Sequence, residues 1–272
     1  MAKRYHKARS IKKKRSFLRG KWLWFFIFLL GFFSGAFYIS VFSSFFQLQH
    51  IQTSGNASEN AELQARAEQL LSQEVGFLNT KSILVLNLER IKTELLSQFP
   101  ALASISLKRQ FPNSLILVAQ AREKVASWCA DAEEKQCFAL DEEGVIFLKE
   151  NHPQGLRITL AKAVSTPVAL GERLMEKDTL GLLLQFQKSM ENFPLLQKDG
   201  AKVVQFTIFS SNQVRAKFSE GWEAYLDPEG DFNWEIAKLQ VVLEKKIPSE
   251  KRKGLEYIDL RFGDQAYIKY SH

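Results

Sequence analysis

Two groups of carboxylates are the side chains whose type and spacing could support acid–base catalysis. They are Asp141, Glu142 and Glu143, and, further along the chain, Asp227, Glu229 and Asp231. Two neighbouring carboxyl groups can divide the roles of general acid and general base between them. Both groups, however, stand beside a glycine at a predicted turn, and acidic side chains at turns are ordinarily solvated. We therefore expect solvated turn residues here, and we predict that the protein is not an enzyme.

Residues for metal-dependent or nucleophilic chemistry are also missing. The histidines are scattered, and none has the HExxH spacing that places two imidazoles on one helical face: His6, His50, His152 and His272. The sequence contains neither a G-x-S-x-G nucleophile elbow nor a glycine-rich phosphate loop. We expect no metal, no cofactor and no small-molecule substrate.

The two cysteines, Cys129 and Cys137, are separated by seven residues. Two ligands are too few for a structural zinc site. An oxidising compartment would permit a disulfide between them across a hairpin, although export alone does not prove one. The bonded and the reduced state both stay open on the sequence alone.

Charge is concentrated at the N terminus. The chain carries a net +7, but residues 1–21 hold ten Lys and Arg and no acid, which leaves −3 for the rest. Few aromatic residues interrupt these charges and no recognised nucleic-acid fold follows, so we expect no nucleic-acid partner. A basic segment beside a membrane is attracted to anionic lipid. We predict a basic cytoplasmic tail over residues 1–21 that contacts lipid.

An apolar stretch follows the tail directly. No formal charge occurs from Trp22 to Ser58, and about 20 apolar residues suffice for a helix to cross the hydrocarbon core. We predict a transmembrane helix over residues 22–45 that contacts membrane lipid. The alternative is a cleaved signal peptide, since Ser34-Gly35-Ala36 loosely matches a cleavage site, but the apolar stretch continues well beyond it. The basic flank places the N terminus in the cytoplasm and the remainder outside it.

Residues 46–121 read as a small α+β unit. A strand ending at residue 56 is followed by two amphipathic helices, the second of which Pro100 ends. Two strands then occupy residues 103–111 and 115–121 and are joined by Pro112-Asn113-Ser114. The predicted order is strand, helix, helix, strand, strand.

Residues 122–272 read as a mixed, β-rich domain with helices packed on an antiparallel sheet. Asp141 and Gly144 mark a hairpin turn. Helices are predicted over residues 179–193 and 233–246, with Asn233 as the N-cap of the second. Strands lie between these helices, and two more strands, around YIDLRF (residues 257–262) and residues 266–270, run almost to the last residue. The fold class is thus α+β behind a single transmembrane helix.

Four short motifs in these two regions match the pattern of a known family. Residues 51–56 (IQTSGN) are similar to I-x-V-x-G-N, with Thr53 in place of Val. Residues 109–112 (RQFP) and 121–128 (AREKVASW) match R-x-W/F-P and x-R-x-P-V-A-x-W, with Lys124 where Pro is common. YIDLRF matches Y-x-D-L-R-Y, with Phe262 in place of Tyr. In these motifs the chain resembles the FtsQ/DivIB family of bacterial cell-division proteins, and the resemblance covers about residues 20–270.

The resemblance implies a fold and a role. Residues 46–121 would be a POTRA-like domain, and residues 122–272 the distal β domain of the family. The protein would be a non-enzymatic scaffold in the inner membrane at the division site. It would bind FtsB/FtsL-type partners and link early division components to septal peptidoglycan synthesis. The alternative is a POTRA-bearing component of an envelope transport or secretion system.

The last two strands carry the candidate binding residues. Asp259 and Arg261 are two residues apart on a strand, so they project from one face and can form a salt bridge. If the final strand lies at a sheet edge, it can accept a strand from a partner. The resemblance assigns partner binding to six residues: Arg261, Phe262, Ala266, Tyr267, Ile268 and Tyr270. The alternative is that Ala266, Ile268 and Tyr270 pack against the preceding helix.

Overall fold

A computed structural model describes residues 21–56, 60–73, 80–130, 136–161 and 168–271. Apart from Lys21, the basic tail predicted over residues 1–21 lies outside the described residues. By internal contacts the chain divides into two compact units. The first comprises Met1–Thr53, Ala61–Ile91 and Leu107–Leu117, and the second comprises Ser54–Asn60, Lys92–Ser106 and Val118–His272. The domain boundary at residues 121 and 122 stays a prediction.

The first helix, α1 (Lys21–Phe42), contains one segment that is long and apolar enough to cross a membrane, Trp22–Phe42, of 21 residues. It ends three residues before the expected position, because the chain turns at Ser43, whose carbonyl oxygen accepts from Phe46 N at 3.1 Å. Its side chains face outwards around the whole helix, with only 6% of the span buried. An apolar helix without a covered face suits lipid as its surroundings.

The next five elements follow in the predicted order. They are β1 (His50–Gly55), α2 (Asn60–Gln73), α3 (Leu88–Gln98), β2 (Leu102–Gln110) and β3 (Ser114–Ala121). The three strands form one sheet in the order β1-β3-β2. Leu63, Ala67 and Leu71 of α2 are buried at helical spacing. The assignment of this element order to a POTRA domain stays a prediction.

The remaining elements form a second sheet together with several helices. They are β4 (Ala126–Cys129), β5 (Cys137–Leu140), β6 (Ile146–Glu150), β7 (Arg157–Leu160), α4 (Lys177–Glu191), α5 (Pro194–Asp199), β8 (Val203–Ser210), β9 (Gln213–Phe218), β10 (Glu223–Leu226), α6 (Phe232–Lys245), a 3-10 helix (Ser249–Gly254), β11 (Leu255–Phe262) and β12 (Gln265–Tyr270). The nine strands are ordered β12-β11-β10-β9-β8-β7-β4-β5-β6.

This sheet is mixed, which corrects the expectation of an antiparallel sheet. Strand β7 pairs in parallel with β4 and β8, and β10 pairs in parallel with β11. The connection from β7 to β8 contains α4 and α5, and the connection from β10 to β11 contains α6. A strand that is reached through a helical crossover returns in the same direction as its neighbour, which explains the parallel pairs β7–β8 and β10–β11. Strands β4 and β7 are instead connected through the β5–β6 hairpin.

The helices cover the apolar residues of the sheet. Phe186 of α4 is fully buried, and its ring centroid lies 6.0 Å from that of Phe206, 6.4 Å from Phe218 and 6.1 Å from Phe232. Alternate residues of β9 and β10 join this core, whereas the residues between them are only partly covered. The sheet therefore keeps one face against α4 and α6 and a second, more accessible face.

Two local features stabilise this domain: the turn between β5 and β6, and a buried arginine just before β11. Gly144 has φ +75° in the predicted β5–β6 turn, and a Cβ there would lie 2.0 Å from the Met175 carbonyl oxygen, so only glycine fits. The 3-10 helix before β11 contributes Arg252, which is 2% exposed. Its guanidinium forms ion pairs with Asp199 and with Glu220, the latter at 3.0 Å.

Candidate protein-interaction edge

Strand β12 lies at one end of the nine-stranded sheet, and within the described part of the chain it pairs only with β11. The pairing is antiparallel, with Ile258 opposite Ile268 and Asp259 opposite Tyr267. Both register shifts add residues to β11 and leave β12 regular. The second side of β12 thus presents backbone groups without a neighbouring strand, as the sequence analysis required of a docking edge.

The direction of the free N–H groups follows from the end of the strand. Ser271 N donates inwards to the Gly254 carbonyl oxygen at 2.8 Å. Because N–H groups alternate between the two sides of a regular strand, those of Tyr270 and Ile268 point to the open edge. A partner strand would therefore meet donors at these two positions.

The six candidate residues divide between the two faces of the hairpin. Ala266 and Ile268 are half-buried and pack against the core, as the packing alternative expected. Tyr270 is 41% exposed, which does not fit that alternative. Phe262 and Tyr267 are 53% and 52% exposed, and their rings meet edge to face with centroids 5.2 Å apart. The aromatic members of the set are thus the accessible ones.

Arg261 and Asp259 form the predicted salt bridge. Arg261 Nε and Nη2 donate to the two carboxylate oxygens of Asp259 at 2.9 and 2.6 Å, a bidentate geometry. The hydrogen bonds that Arg261 donates to Asp259 raise the pKa of its guanidinium, whereas burial acts in the opposite direction. The guanidinium carbon lies 5.7 Å from the ring centroids of both Tyr225 and Phe262. Arg261 is thus held in a fixed position beside the exposed aromatic pair.

Aromatic rings and cations continue from this pair across the accessible face of the sheet. The rings of Tyr225 and Tyr257 stack at 4.5 Å, and the Arg215 guanidinium lies 4.4 Å from the Tyr225 centroid. Lys269 lies over Tyr257 at 5.6 Å and pairs with Glu256 at 3.0 Å. Such contacts each stabilise a surface modestly and fix the positions of its side chains.

Two protonation equilibria on this face are displaced by their surroundings. Burial raises the pKa of the Tyr225 hydroxyl, and the positive charge of Arg215 partly offsets that rise. The hydrogen bond that Lys269 donates to Glu256 raises the pKa of its ammonium. Lys269 therefore keeps its charge beside the edge over the whole physiological pH range. Arg215 and Tyr225 were not predicted from the sequence, where each is only a polar residue between apolar neighbours on its strand.

Helix α6 supports the β11–β12 turn from inside. Lys238 is buried, and its Nζ donates to the carbonyl oxygens of Leu260 and Gly263 at 2.5 and 2.6 Å. Trp234 Nε1 also donates to Gly263 O, at 3.3 Å. These donors satisfy carbonyl groups at the end of β11 and in the turn, so the turn is fixed to the helix. Sequence periodicity gave no signal for a buried lysine.

A second ionisable group of α6 lies near this lysine. Glu235 is buried and accepts a hydrogen bond from Asp227 N at 3.1 Å. Burial raises the pKa of the Glu235 carboxyl to about 7, with smaller contributions in the same direction from Asp227 and Asp259. The hydrogen bond from Asp227 N and the charge of Lys238 lower it. Glu235 consequently changes charge near neutral pH.

The first carboxylate group is not fully solvated, which corrects the expectation from the sequence. Asp141 is only 3% exposed. One of its oxygens accepts from Glu143 N and Val145 N at 3.0 and 2.8 Å, and the other pairs with Arg122. The carboxylate closes the β5–β6 turn on itself, so hydrogen bonds within the turn replace the water that a turn aspartate usually contacts.

The second carboxylate group also bonds to nearby backbone. Asp227 Oδ1 accepts from Glu229 N, and Asp231 Oδ1 accepts from Trp234 N, both at 3.0 Å. Asp231 is therefore the N-cap of α6, and the prediction of Asn233 was wrong by two residues. Asn233 instead accepts from Gln185 Nε2 at 2.8 Å.

The two cysteines are directly opposite each other on β4 and β5 and are joined by a disulfide. Both are fully buried, and their Cα atoms are 4.1 Å apart. Over the residues that the structure describes, no group of three or more His, Cys, Asp and Glu could hold a metal ion.

In comparisons with known proteins, no family model matches the chain and no curated protein matches its sequence.

Proposed function

We propose that this protein is a non-enzymatic scaffold of bacterial cell division that captures partner proteins along the edge of β12. In this proposal α1 anchors the chain in the inner membrane, the N-terminal tail is cytoplasmic, and the rest is exported. Residues 46–121 form a POTRA-like domain, and the distal domain binds FtsB/FtsL-type partners at the division site. The proposed protein links early division components to septal peptidoglycan synthesis.

The observation that carries the proposal is the position of β12 at the end of the sheet. An extended partner segment can add a tenth strand there, with main-chain hydrogen bonds supplying affinity. The resemblance of YIDLRF to the terminal motif of the FtsQ/DivIB family supports the choice of partner. Specificity would come from the exposed side chains of Phe262, Tyr267 and Tyr270 and from the fixed charge of Arg261.

The supports beneath this edge favour binding without rearrangement. Ile268 packs against the core, Lys238 fixes the turn, and Asp259 fixes Arg261. A binding surface that is already ordered loses less conformational entropy when the partner docks. This edge therefore suits the capture of a segment that is itself extended or unstructured before binding.

The test is a binding measurement on the full-length protein in lipid nanodiscs. The partners are the FtsB/FtsL-type proteins encoded in the same genome, and the variant is Ile268→Pro. Proline removes the N–H that points to the open edge, and proline is tolerated in an edge strand at such a position. The matched control is Ile268→Ala, which also removes the packed side chain but keeps the N–H.

We expect Ile268→Pro to lose most of the binding and Ile268→Ala to retain it, while circular dichroism shows both variants to be folded. Equal binding by the two variants would show that the docking surface is not at β12. Failure of the unmodified protein to bind would contradict the division assignment itself.

Localisation distinguishes the proposed role from that of a transport component. A fluorescent fusion of the full-length protein should concentrate at the division plane of growing cells. A distribution over the whole envelope would instead favour the POTRA-bearing transport or secretion component.

A further inference from the structure

The C-terminal end of α1 accepts hydrogen bonds from side chains that lie much later in the sequence. Ser82 Oγ donates to the Ser40 carbonyl oxygen at 2.8 Å, and Thr80 Oγ1 donates to the Val41 carbonyl oxygen. Gln47 Nε2 donates to the same Val41 oxygen at 3.0 Å. The last carbonyl groups of a helix have no partners within the helix. Side chains from residues 80–82 thus satisfy groups that would otherwise need water.

Backbone hydrogen bonds make this connection rigid. Ile83 N donates to Phe46 O at 2.9 Å, and Leu48 N donates to Lys81 O at 3.1 Å. Lys81 N also donates to Gln47 Oε1 at 3.0 Å. The segment after α1 and the segment around residue 82 are therefore paired, and both move with the end of the helix. All of these residues belong to the first compact unit.

Residues 82–86, which we call the Leu84 turn, have most of their backbone hydrogen-bonding groups paired. Ser82 O accepts from Val85 N at 3.0 Å and from Leu86 N at 3.2 Å. Arg109 donates through Nε to Ile83 O at 2.7 Å and through Nη2 to Leu86 O at 2.8 Å. A turn with this many paired backbone groups can leave water at a low cost in free energy.

The tip of the same turn is apolar and exposed. Leu84 is 41% and Val85 45% exposed, while Ser82, Ile83 and Leu86 are buried. A polar tip would be expected of a turn that simply faces water. Here the polar atoms are turned inwards and the apolar side chains are presented outwards.

Exposed apolar side chains also occur at the helix end to which the turn is bonded. Phe42, the last residue of α1, is 44% exposed, and Phe45 is 61% exposed. A helical span of 21 residues is about 32 Å long at about 1.5 Å per residue, close to the hydrocarbon thickness of roughly 30 Å. If α1 spans the bilayer, Phe42 lies at its surface, and Ser82, bonded to Ser40, lies at the same level.

We propose that the Leu84 turn inserts its tip into the interfacial layer of the bilayer, on the side where α1 ends. The occupant of this apolar tip is lipid, because the turn is hydrogen-bonded to the end of a helix whose apolar side chains are exposed and suit lipid. Exposed Lys81 beside the turn suits the anionic headgroups of that layer. The inference rests on the proposed membrane anchor but does not depend on any division partner. In this arrangement the first unit contacts the membrane through the Leu84 turn as well as through α1.

Depth-dependent fluorescence quenching tests this contact in the full-length chain. A single cysteine at Val85→Cys is labelled with the fluorophore NBD, while Cys129 and Cys137 are bonded to each other and do not react. The labelled protein is reconstituted in vesicles of phosphatidylcholine and phosphatidylglycerol that carry nitroxide either near the headgroup or on the acyl chain. Ala65→Cys, an exposed position on α2 of the same unit, is the matched control.

We expect the label at residue 85 to show blue-shifted emission and loss of fluorescence with headgroup nitroxide, and the label at residue 65 to show neither. Leu84→Cys, labelled in the same way, should show the same blue shift and quenching. Agreement between the two positions would show that the result is not caused by the substitution at residue 85. Phe32→Cys, in the middle of α1, reports on the anchor and should be quenched by acyl-chain nitroxide.

Three results would overturn the inference. If residue 32 is quenched but residue 85 behaves like residue 65, the anchor stands and the turn does not reach lipid. If residue 85 is blue-shifted without quenching, protein from a partner or a second copy covers the tip. If residues 32 and 85 are both unquenched, the proposed anchor fails as well.

Discussion

Replacing Lys238 with methionine is expected to loosen the β11–β12 hairpin. Methionine keeps an apolar side chain of similar length but removes the ammonium that donates to Leu260 O and Gly263 O. Gly263 O keeps the Trp234 indole as a donor, whereas Leu260 O loses this one. A buried acceptor left unpaired costs about 1–3 kcal/mol. Because the lost donor is charged, the cost lies at the upper end of this range. Relief from burying a charge offsets part of it, so we expect a net loss of about 2 kcal/mol.

Hydrogen–deuterium exchange of the full-length protein measures this loss locally. If the hairpin opens independently of the rest of the sheet, about 2 kcal/mol corresponds to roughly 30-fold faster exchange of its protected amides. The control is Lys245→Met, which removes an exposed lysine from the same helix. Substitutions at exposed positions usually change stability by less than about 0.5 kcal/mol.

Two results would refute the reasoning. Equal exchange rates in the hairpin of the two variants would mean that the Lys238 hydrogen bonds contribute no net stability. Equally faster exchange in all nine strands would mean that Lys238 stabilises the sheet as a whole and does not specifically position the edge. In the expected case, binding of the proposed FtsB/FtsL-type partners should weaken together with the protection of the hairpin.

Three further predictions concern stability. Each is measured by unfolding the full-length protein in urea and following the tryptophan fluorescence of the distal domain. Arg252→Met should cost about 3 kcal/mol or more, because it leaves two partly buried carboxylates without their cation, whereas exposed Lys253→Met should change little. The Glu235 pKa is raised from 4.5 to about 7, so the folded state binds this proton more tightly than the unfolded state. Its contribution to stability is complete below about pH 4.5 and is lost as the pH rises through about 7, by up to about 3 kcal/mol, and Glu235→Gln should flatten that dependence. Changing Cys129 and Cys137 together to alanine should cost about 2.5 kcal/mol for a disulfide that closes a separation of eight residues. A reducing agent should destabilise the unmodified protein but not the double variant; sensitivity of both would contradict the assignment.

Local patterns in the sequence predicted the elements well where the pattern itself determines the structure. Alternation in residues 257–262 placed Asp259 and Arg261 on one face, and the structure forms their salt bridge. The β5–β6 turn was also predicted, because Gly144 occupies a left-handed position that only a residue without a Cβ can fill. The N-cap of α6 was missed, because Asp231 and Asn233 are both good caps and only the observed hydrogen bond selects Asp231.

Properties that depend on distant partners were not predictable from such patterns. The burial of Asp141 depends on Arg122, which is 19 residues away in the chain. The stack of Tyr225 on Tyr257 requires β10 and β11 to be neighbours, a pairing that follows from the crossover through α6. Lys238 is found inside the protein only because two carbonyl groups of the turn lie within reach of its ammonium.

The sequence by itself determined the charge-free span of α1, the order of helices and strands in residues 46–121, and the alternation that gives the strands around YIDLRF an inner and an outer face. These are properties of neighbouring residues, and the periods of about 3.6 and 2 residues express them directly. The tertiary structure alone decided that β12 is the edge, that the sheet is mixed, and that the Leu84 turn is bonded to the end of α1. Those outcomes depend on which surfaces bury each other, a choice made by segments far apart in the chain.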